Sequence, residues 1–440
     1  MEGTPVEPPV ALRARLTALR RSDTGQAAAL AAATMGQQLL GLAFTVVFTR
    51  WLGADGYGSL AALLNLTVIL LVPGSALQIA AAREGTLGRL GEGPELAATL
   101  ARWTRHLLMG LAVLAALSAL AREPLAALLN VDEAWAAAAV PVCGALWLLL
   151  CVQRGLLQAA RAYVPVAASI VLEGIGRIVA AVALVGLGAG ITGAYLGTLA
   201  SFACAAVALH FLLRRRLGPA APTGARHSLR ALTRASAVPI AALVLVAALQ
   251  NADVILARHT LAEEDAGVYA AATVAAKFIV WIAVGLGLWV LPETASSRAE
   301  GLEPRRVIAR ALGLIVAIAL PALVLFATVP ALLLGAAFGP EYERGESVLF
   351  TLGCAYALLA ATYLCVQFLL GDHRRGFVVV LLVAAVAQPL LLLGAESLGS
   401  FAVTVLVVQA AAAIAIVVLA ARGRGAPGVT NPTSVAPALR

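Results

Sequence analysis

Twelve apolar runs, each close to 20 residues long, constrain the fold of this chain more than any other feature. A run of this length crosses the hydrocarbon core of a bilayer as a single α-helix. Apolar residues make up 61% of the chain and charged residues 12%, against about 45–50% and 25% in soluble domains. The sequence therefore predicts an all-α integral membrane protein with helices at 26–49, 59–81, 104–121, 135–153, 166–186, 190–213, 235–257, 269–291, 308–330, 347–370, 376–394 and 400–421.

An internal repeat relates the two halves of the chain. The segment 52–62 recurs at 261–271 with a Leu, a Gly and two Ala in common, and Asp55 is aligned with Glu264. Each segment joins the first apolar run of its half to the second, as in a membrane hairpin. Because each half contains six runs, both halves insert with the same orientation. The sequence therefore predicts two parallel six-helix lobes.

The repeat and a basic loop between the halves define the expected domain boundaries. We expect a cytoplasmic N-terminal tail at 1–25, a first lobe at 26–213, a cytoplasmic interlobe linker at 214–234 and a second lobe at 235–421. The remaining residues, 422–440, include a stretch rich in Gly, Pro, Ser and Thr, which is typical of a disordered tail.

The arginines follow the predicted topology. Short cytoplasmic loops carry an excess of positive charge, and most arginines lie in the tails and in the loops on the same side as the tails, including three in succession at 214–216. The opposite side has few arginines, mixed with acids such as Glu263 and Asp265. This pattern predicts a multi-pass protein of the inner (plasma) membrane with both termini in the cytoplasm. It also accounts for the net charge of +8 without a nucleic acid partner.

The sequence has no pattern typical of a cofactor or a metal site. All five cysteines lie inside apolar runs, so we expect neither a disulfide framework nor a zinc site. A glycine-rich phosphate-binding loop ending in Gly-Lys-Ser/Thr is also missing, which argues against nucleotide hydrolysis by this chain. We therefore expect no enzyme activity, no catalytic residues, no metal and no cofactor.

Four ionisable residues stand out well inside predicted membrane helices, where a charge is costly and therefore suggests function. Glu173 and Arg177 are four residues apart on the fifth helix and can pair. Such a pair either stabilises the fold or opens onto a cavity, where Arg177 could bind a phosphate and Glu173 could couple to protons.

The other two ionisable residues are Asp253 on the seventh helix and Lys277 on the eighth. Lys277 is the only lysine of the chain and lies about 12 Å below the outer end of its predicted helix at 1.5 Å per residue. Asp253 could pair with Lys277 or with Arg258, as a structural partner or as a coupling residue. We expect Arg177 and Lys277 to line a water-accessible cavity between the lobes.

The segment 50–58, RWLGADGYG, resembles the polysaccharide-exporter branch of the multidrug/oligosaccharidyl-lipid/polysaccharide (MOP) superfamily. The segments 251–256, NADVIL, and 263–269, EEDAGVY, resemble the start of the second lobe in that branch. The resemblance implies a V-shaped flippase that alternates between inward-open and outward-open states, driven by an ion gradient or the membrane potential. Its implied substrate is a lipid-diphosphate-linked oligosaccharide moved from the inner to the outer leaflet, with Arg177 and Lys277 as candidate cavity cations. Membrane lipid, a polysaccharide polymerase and glycosyltransferases are the further expected partners.

Two alternatives remain open on the sequence alone. The multidrug exporter branch of the same superfamily also has twelve spans; its cavity should favour cationic drugs, and Glu173 and Asp253 are the acids at suitable depth. A non-transporting scaffold for polymer-synthesis enzymes would instead have its centre closed by packed apolar side chains.

Overall fold

The computed structural model describes residues 23–91, 93–218, 228–299 and 305–422. Over these residues the chain forms α-helices and one 3-10 helix, Pro340–Gly345. The α-helices are α1 (Asp23–Thr86), α2 (Pro94–Leu120), α3 (Arg122–Leu129), α4 (Ala134–Ala159), α5 (Tyr163–Gly186), α6 (Gly190–Leu217), α7 (Leu229–Ala235), α8 (Ala237–Thr260), α9 (Glu263–Ala299), α10 (Arg305–Thr328), α11 (Pro330–Phe338), α12 (Glu346–Gly371), α13 (Phe377–Leu392) and α14 (Leu398–Ala421).

The described helices account for the predicted membrane crossings. Ten of them are long and apolar enough to cross a membrane, and the first, Ala32–Thr86, has 55 residues. A straight helix of that length would measure about 80 Å, more than twice the thickness of a bilayer core, so it supplies two crossings. The shorter apolar helix Phe377–Leu392 supplies one more. The prediction of an all-α membrane protein with about twelve membrane helices is confirmed.

The reversal within α1 occurs at Gly53, where φ is 70° and ψ is 178°. Glycine adopts this left-handed backbone without the steric cost that a Cβ atom brings. Gln37, before the bend, donates to Glu173, which pairs with Arg154 of α4. Ser75, after the bend, accepts from Trp147, whose ring lies against the same arginine. The two parts of α1 therefore run back along the same lobe. The second half has the corresponding break between Thr260 of α8 and Glu263 of α9.

Helix packing divides the membrane helices into the two expected lobes. In the first lobe, α1 packs against α4, α5 and α6, and α2 packs against α4. In the second lobe, α12 packs against α9, α10 and α14, while α13 packs against α8 and α14. The lobes meet where α1 packs against α8 and α9.

The two repeated hairpins meet each other at this interface. A Cβ atom on Gly58 would lie 3.2 Å from the backbone nitrogen of Gly267, and one on Gly267 would overlap the carbonyl oxygen of Ala54. Gly58 and Gly267 are the aligned glycines of the repeat. Equivalent ends of the two lobes therefore face each other, as parallel lobes require, and we call this end of the molecule the hairpin end.

Parts of the expected linker and tails lie outside the described residues, namely 1–22, 219–227 and 423–440. The described part of the linker ends in the short helix α7, whose first turn is capped by Ser228. Ser228 Oγ accepts a hydrogen bond from the Ala231 amide at 3.0 Å, which satisfies an otherwise unpaired N–H of that turn.

Candidate functional site

Glu173 of α5 forms a buried ion pair with Arg154 of α4. The distance between Arg154 Nη2 and Glu173 Oε2 is 2.9 Å, and both side chains are 2% exposed. Arg154 Nε also donates to Ser169 Oγ at 3.0 Å, and Gln37 Nε2 donates to Glu173 Oε1 at 3.1 Å. The ion-pair partner of Glu173 is thus Arg154 and not Arg177, four residues along the same helix.

Sequence reasoning missed this role of Arg154 because the fourth predicted helix ends at residue 153, which places Arg154 in a cytoplasmic loop. In the structure α4 continues to Ala159 and Arg154 is buried. The apolar residues Leu156 and Leu157, which follow after Gly155, are the signal that the membrane helix continues.

Arg177 lies next to this pair and faces α1. Its Cζ atom lies 4.8 Å from the centroid of the Phe44 ring, a cation–π distance. Its Nε has no hydrogen-bond partner in the described part of the chain. Two cations, Arg154 and Arg177, therefore share one carboxylate, Glu173, and the group carries one excess positive charge. Arg177 keeps donors available for an anion.

Lys277 of α9 joins the two lobes. It is 5% exposed, and its Nζ donates to Asn65 Oδ1 at 2.7 Å and to Asn251 Oδ1 at 3.1 Å. Asn65 lies on α1 of the first lobe and Asn251 on α8 of the second. Each asparagine donates its Nδ2 to the carbonyl four residues earlier, Ala61 or Ala247. This bond orients both amide oxygens as acceptors toward the lysine.

The depth of Lys277 is greater than its predicted helix indicated. Because α9 begins at Glu263, Lys277 lies about 21 Å along the helix from the hairpin end at 1.5 Å per residue. This position is well inside a hydrocarbon core about 30 Å thick. An ammonium held there by two neutral amides is a charge that only the tertiary structure can solvate.

Asp253 lies beside Lys277 without contacting it directly. The side chain is fully buried, and its Oδ2 accepts hydrogen bonds from the hydroxyls of Tyr269 and Tyr356, both at 2.8 Å. Asp253 Oδ1 has no hydrogen-bond partner among the described residues. The Tyr356 ring centroid lies 5.8 Å from Lys277 Nζ, so Tyr356 contacts both charged groups. Arg258 does not form an ion pair with Asp253, because its guanidinium lies at the hairpin end.

Two glutamines complete the polar core of the second lobe. Gln388 of α13 and Gln409 of α14 both donate to the backbone carbonyl of Leu249, at 3.1 and 3.0 Å, and Gln409 also donates to Gln388 Oε1 at 3.0 Å. These bonds tie two helices to α8 next to Asn251. We assign them a structural role, since buried amides require such partners.

Arg258 organises a second set of interlobe contacts at the hairpin end. It is 5% exposed and donates to Asp55 Oδ1 at 3.2 Å, to Glu263 Oε1 at 3.3 Å and to the Asn130 carbonyl at 3.3 Å. The Asn130 side chain donates in return to the Arg258 carbonyl. Asp55 and Asn130 belong to the first lobe, so Arg258 holds the lobes together. Further interlobe bonds at this end join Arg50 to Ala336, Tyr342 to Thr49 and His259 to Leu128.

Glu133, in the loop between α3 and α4, borders these contacts. Its Oε2 is buried without a hydrogen-bond partner in the described chain. Burial raises the pKa of the Glu133 carboxyl, while the nearby Arg258 guanidinium opposes that rise.

The arrangement as a whole suits a molecule that opens and closes between its lobes. The contacts around Arg258 close the hairpin end, and Lys277 lies deeper on the same interface. If the lobes separate at the hairpin end, the bonds from Arg258 to Asp55 break, and Lys277 must give up one of its two asparagines.

Comparison with known families gives one match. A family model described as polysaccharide biosynthesis protein matches residues 97–348, which is more than half of the chain. No curated protein matches the chain significantly.

Solved transporter structures share the fold. A multidrug resistance MATE family transporter of the MOP superfamily in its inward-facing conformation is 14% identical, with a TM-score of 0.72 over 89% of this chain and 97% of that chain. An outward-facing structure described in the same terms is 15% identical, with a TM-score of 0.63 over 92% and 96%. A MOP superfamily transporter from Pyrococcus furiosus, described as having a binding pocket of reversed polarity that suggests a different function, is 15% identical, with a TM-score of 0.58 over 92% and 96%.

Proposed function

The chain belongs to the family of polysaccharide biosynthesis proteins, and from this membership we propose that it is a flippase. It would move a lipid-diphosphate-linked oligosaccharide from the inner to the outer leaflet of the cell membrane during synthesis of an envelope polysaccharide. In this proposal the chain works as a transporter and not as an enzyme. The MOP fold shared with solved transporters supports transport as the general activity.

The observation that carries the proposal is the position of Lys277. A buried ammonium bridges the two lobes through neutral amide oxygens of Asn65 and Asn251. When the lobes separate, at least one of these bonds breaks, and the ammonium needs a new acceptor. A diphosphate offers charged oxygens, which make stronger hydrogen bonds than an amide does.

The charges of the first lobe favour the same class of substrate. The excess cation at Arg177, next to the Arg154–Glu173 pair, favours an anion as the group that enters. A guanidinium presents planar donors that match a phosphate. By contrast, Asp253 Oδ2 accepts from two tyrosine hydroxyls, which leaves only Oδ1 for the cationic drug of a multidrug exporter.

We propose that the structure is closed at the outer face and corresponds to an inward-open state. The interlobe contacts around Arg258 lie at the hairpin end, which the positive-inside rule places outside the cell. The higher TM-score with the inward-facing than with the outward-facing relative supports this assignment. Both termini would then lie in the cytoplasm of a cell whose inner membrane holds the protein.

The test is a flipping assay in reconstituted vesicles. A lipid-diphosphate oligosaccharide with a fluorescent label is incorporated, and its arrival in the outer leaflet is followed by a membrane-impermeant quencher. Loss of one charged hydrogen bond costs about 1.5–3 kcal/mol, so Arg177→Gln and Lys277→Gln should each slow flipping roughly 10- to 100-fold. Arg83→Gln removes an exposed arginine and should flip at the wild-type rate.

The outcome distinguishes three functions. Wild-type flipping by both Arg177→Gln and Lys277→Gln would remove these residues from the site. Accumulation of a cationic dye without lipid flipping would identify a multidrug exporter. A folded protein that transports neither substrate but co-purifies with polymer-synthesis enzymes would identify a scaffold. Monodisperse elution of each variant from a sizing column establishes that it is folded.

A further inference from the structure

A groove of about 560 Å³ opens between α2 and α6, away from the lobe interface. Its volume is in the range of small-molecule sites. The residues contributed by α2 recur at helical spacing along one stripe, and α6 contributes the opposite wall near its C-terminus. These two helices make few contacts with each other, which leaves the groove accessible from the membrane.

The polar groups of the groove are cationic or unpaired. Arg105 of α2 and Arg214 of α6 line it, both exposed, and none of the described lining residues is acidic. Thr104 is only 7% exposed, yet its Oγ1 has no hydrogen-bond partner in the described structure, and neither has His210 Nδ1. A buried hydroxyl without a partner is costly. The groove therefore holds hydrogen-bonding capacity that a bound anion would satisfy.

Apolar residues line both ends of the groove, and the two arginines lie between them. The first residue of α2, Pro94, and the last of α6, Leu217, lie at the same end of the lobe, because Leu217 lines the groove together with the first turns of α2. Farther along α2 from that mouth, beyond Arg105, the wall consists of Leu108, Met109 and Ala112. Leu108 and Met109 are about half exposed. Two arginines beside an apolar wall match a molecule with an anionic head and a hydrocarbon tail.

We propose that this groove binds one anionic glycerophospholipid of the leaflet at the arginine-rich end. Arg105 and Arg214 bind the phosphodiester, Thr104 donates its hydroxyl to a phosphate oxygen, and an acyl chain lies along Leu108 and Met109. The site belongs to the first lobe alone, so a lipid bound there contacts both α2 and α6 and stabilises their packing. Its occupancy does not depend on the substrate that passes between the lobes.

The test measures lipid binding to the purified full-length protein by native mass spectrometry. Phosphatidylglycerol and phosphatidylcholine are titrated separately in a neutral detergent. The groove variant is Arg105→Gln/Arg214→Gln. The control variant, Arg102→Gln/Arg215→Gln, removes two exposed arginines from the same helices outside the groove. At about 1 kcal/mol for each arginine, the groove variant should bind phosphatidylglycerol about 30-fold more weakly, and the control should match the wild type.

A second variant and two competitors complete the design. Thr104→Val keeps the side-chain volume and should also weaken phosphatidylglycerol binding. Its melting temperature in lipid-free detergent should equal or exceed that of the wild type, because the unpaired hydroxyl is removed. Equal losses in the groove and control variants, or equal affinity for phosphatidylcholine, would overturn the proposal. Displacement of the lipid by equimolar inorganic phosphate would identify a free-anion site instead. Tighter binding of a polyprenyl phosphate, with the same arginine dependence, would assign the groove to the carrier lipid.

Discussion

Replacing Gly267 with alanine should force the lobes apart at the hairpin end without damaging either lobe. A Cβ atom on Gly267 would overlap the Ala54 carbonyl oxygen and lie 2.5 Å from its carbonyl carbon. The obstacle is backbone of the other lobe, which no side-chain rotation can move. Relief therefore requires one lobe to shift relative to the other.

The size of the effect follows from these distances. Moving the Ala54 carbonyl carbon from 2.5 Å to ordinary contact at 3.4 Å displaces the hairpins by about 1 Å, and the oxygen requires more. The hydrogen bond from Arg258 to Asp55, now 3.2 Å, then exceeds the range of a hydrogen bond, as do the bonds between Arg258 and Asn130. Losing these exposed and half-buried contacts costs about 3 kcal/mol. A preference of 99:1 for the closed hairpin end would fall to near parity.

Spin-label distance measurements on the reconstituted protein detect this shift. Labels on Asp132→Cys of the first lobe and Glu341→Cys of the second, both exposed positions, report the separation at the hairpin end. The exposed native Cys204 is replaced by serine. The Gly267→Ala protein should show a second, longer distance with a population comparable to the first.

Two further glycines make the test quantitative. A Cβ atom on Gly58 would meet the Gly267 nitrogen at 3.2 Å, whereas one on Gly313 would meet nothing within 4 Å. Gly58→Ala should therefore shift the population less than Gly267→Ala, and Gly313→Ala should not shift it. If Gly267→Ala leaves the distance distribution of the parent protein unchanged, the close approach of the hairpins does not hold the outer face closed.

Three other predictions concern the buried charges. Arg154→Met should lower the free energy of unfolding by about 3–5 kcal/mol, because it leaves Glu173 buried without its cation. Arg154→Met/Glu173→Leu should recover most of this loss in thermal melts. Equal stability of the two variants would contradict the pairing. Tyr269→Phe and Tyr356→Phe should each cost about 1 kcal/mol, and the double variant should cost more than the sum, since Asp253 then loses both donors. The raised pKa of Glu133 means that native stability falls as the pH rises from the ordinary pKa of 4.5 to the native pKa. Glu133→Gln should therefore melt at a higher temperature than the wild type at pH 7 and lose this pH dependence. A pH profile of the melting temperature identical to that of the wild type would refute this prediction.

Local pattern was sufficient for the architecture. The length of the apolar runs specifies membrane helices, because a bilayer core admits only segments that satisfy their own backbone hydrogen bonds. The repeat at 52–62 and 261–271, with six runs in each half, specified parallel lobes; the contact between the two hairpins became visible only in the structure.

The sequence by itself placed Glu173, Arg177, Asp253 and Lys277 inside membrane helices, since this follows from position along an apolar run, but it missed the burial of Arg154. It did not determine their partners. Glu173 has Arg177 four residues away, yet it pairs with Arg154 of another helix, and Lys277 bonds to Asn65 of the other lobe. Helices in lipid lack the burial pattern that orients helices in water, because lipid is as apolar as their own side chains. The helix faces that meet are selected by shape complementarity and by a few hydrogen bonds and ion pairs between helices. Such interhelical bonds form only once the helices have packed.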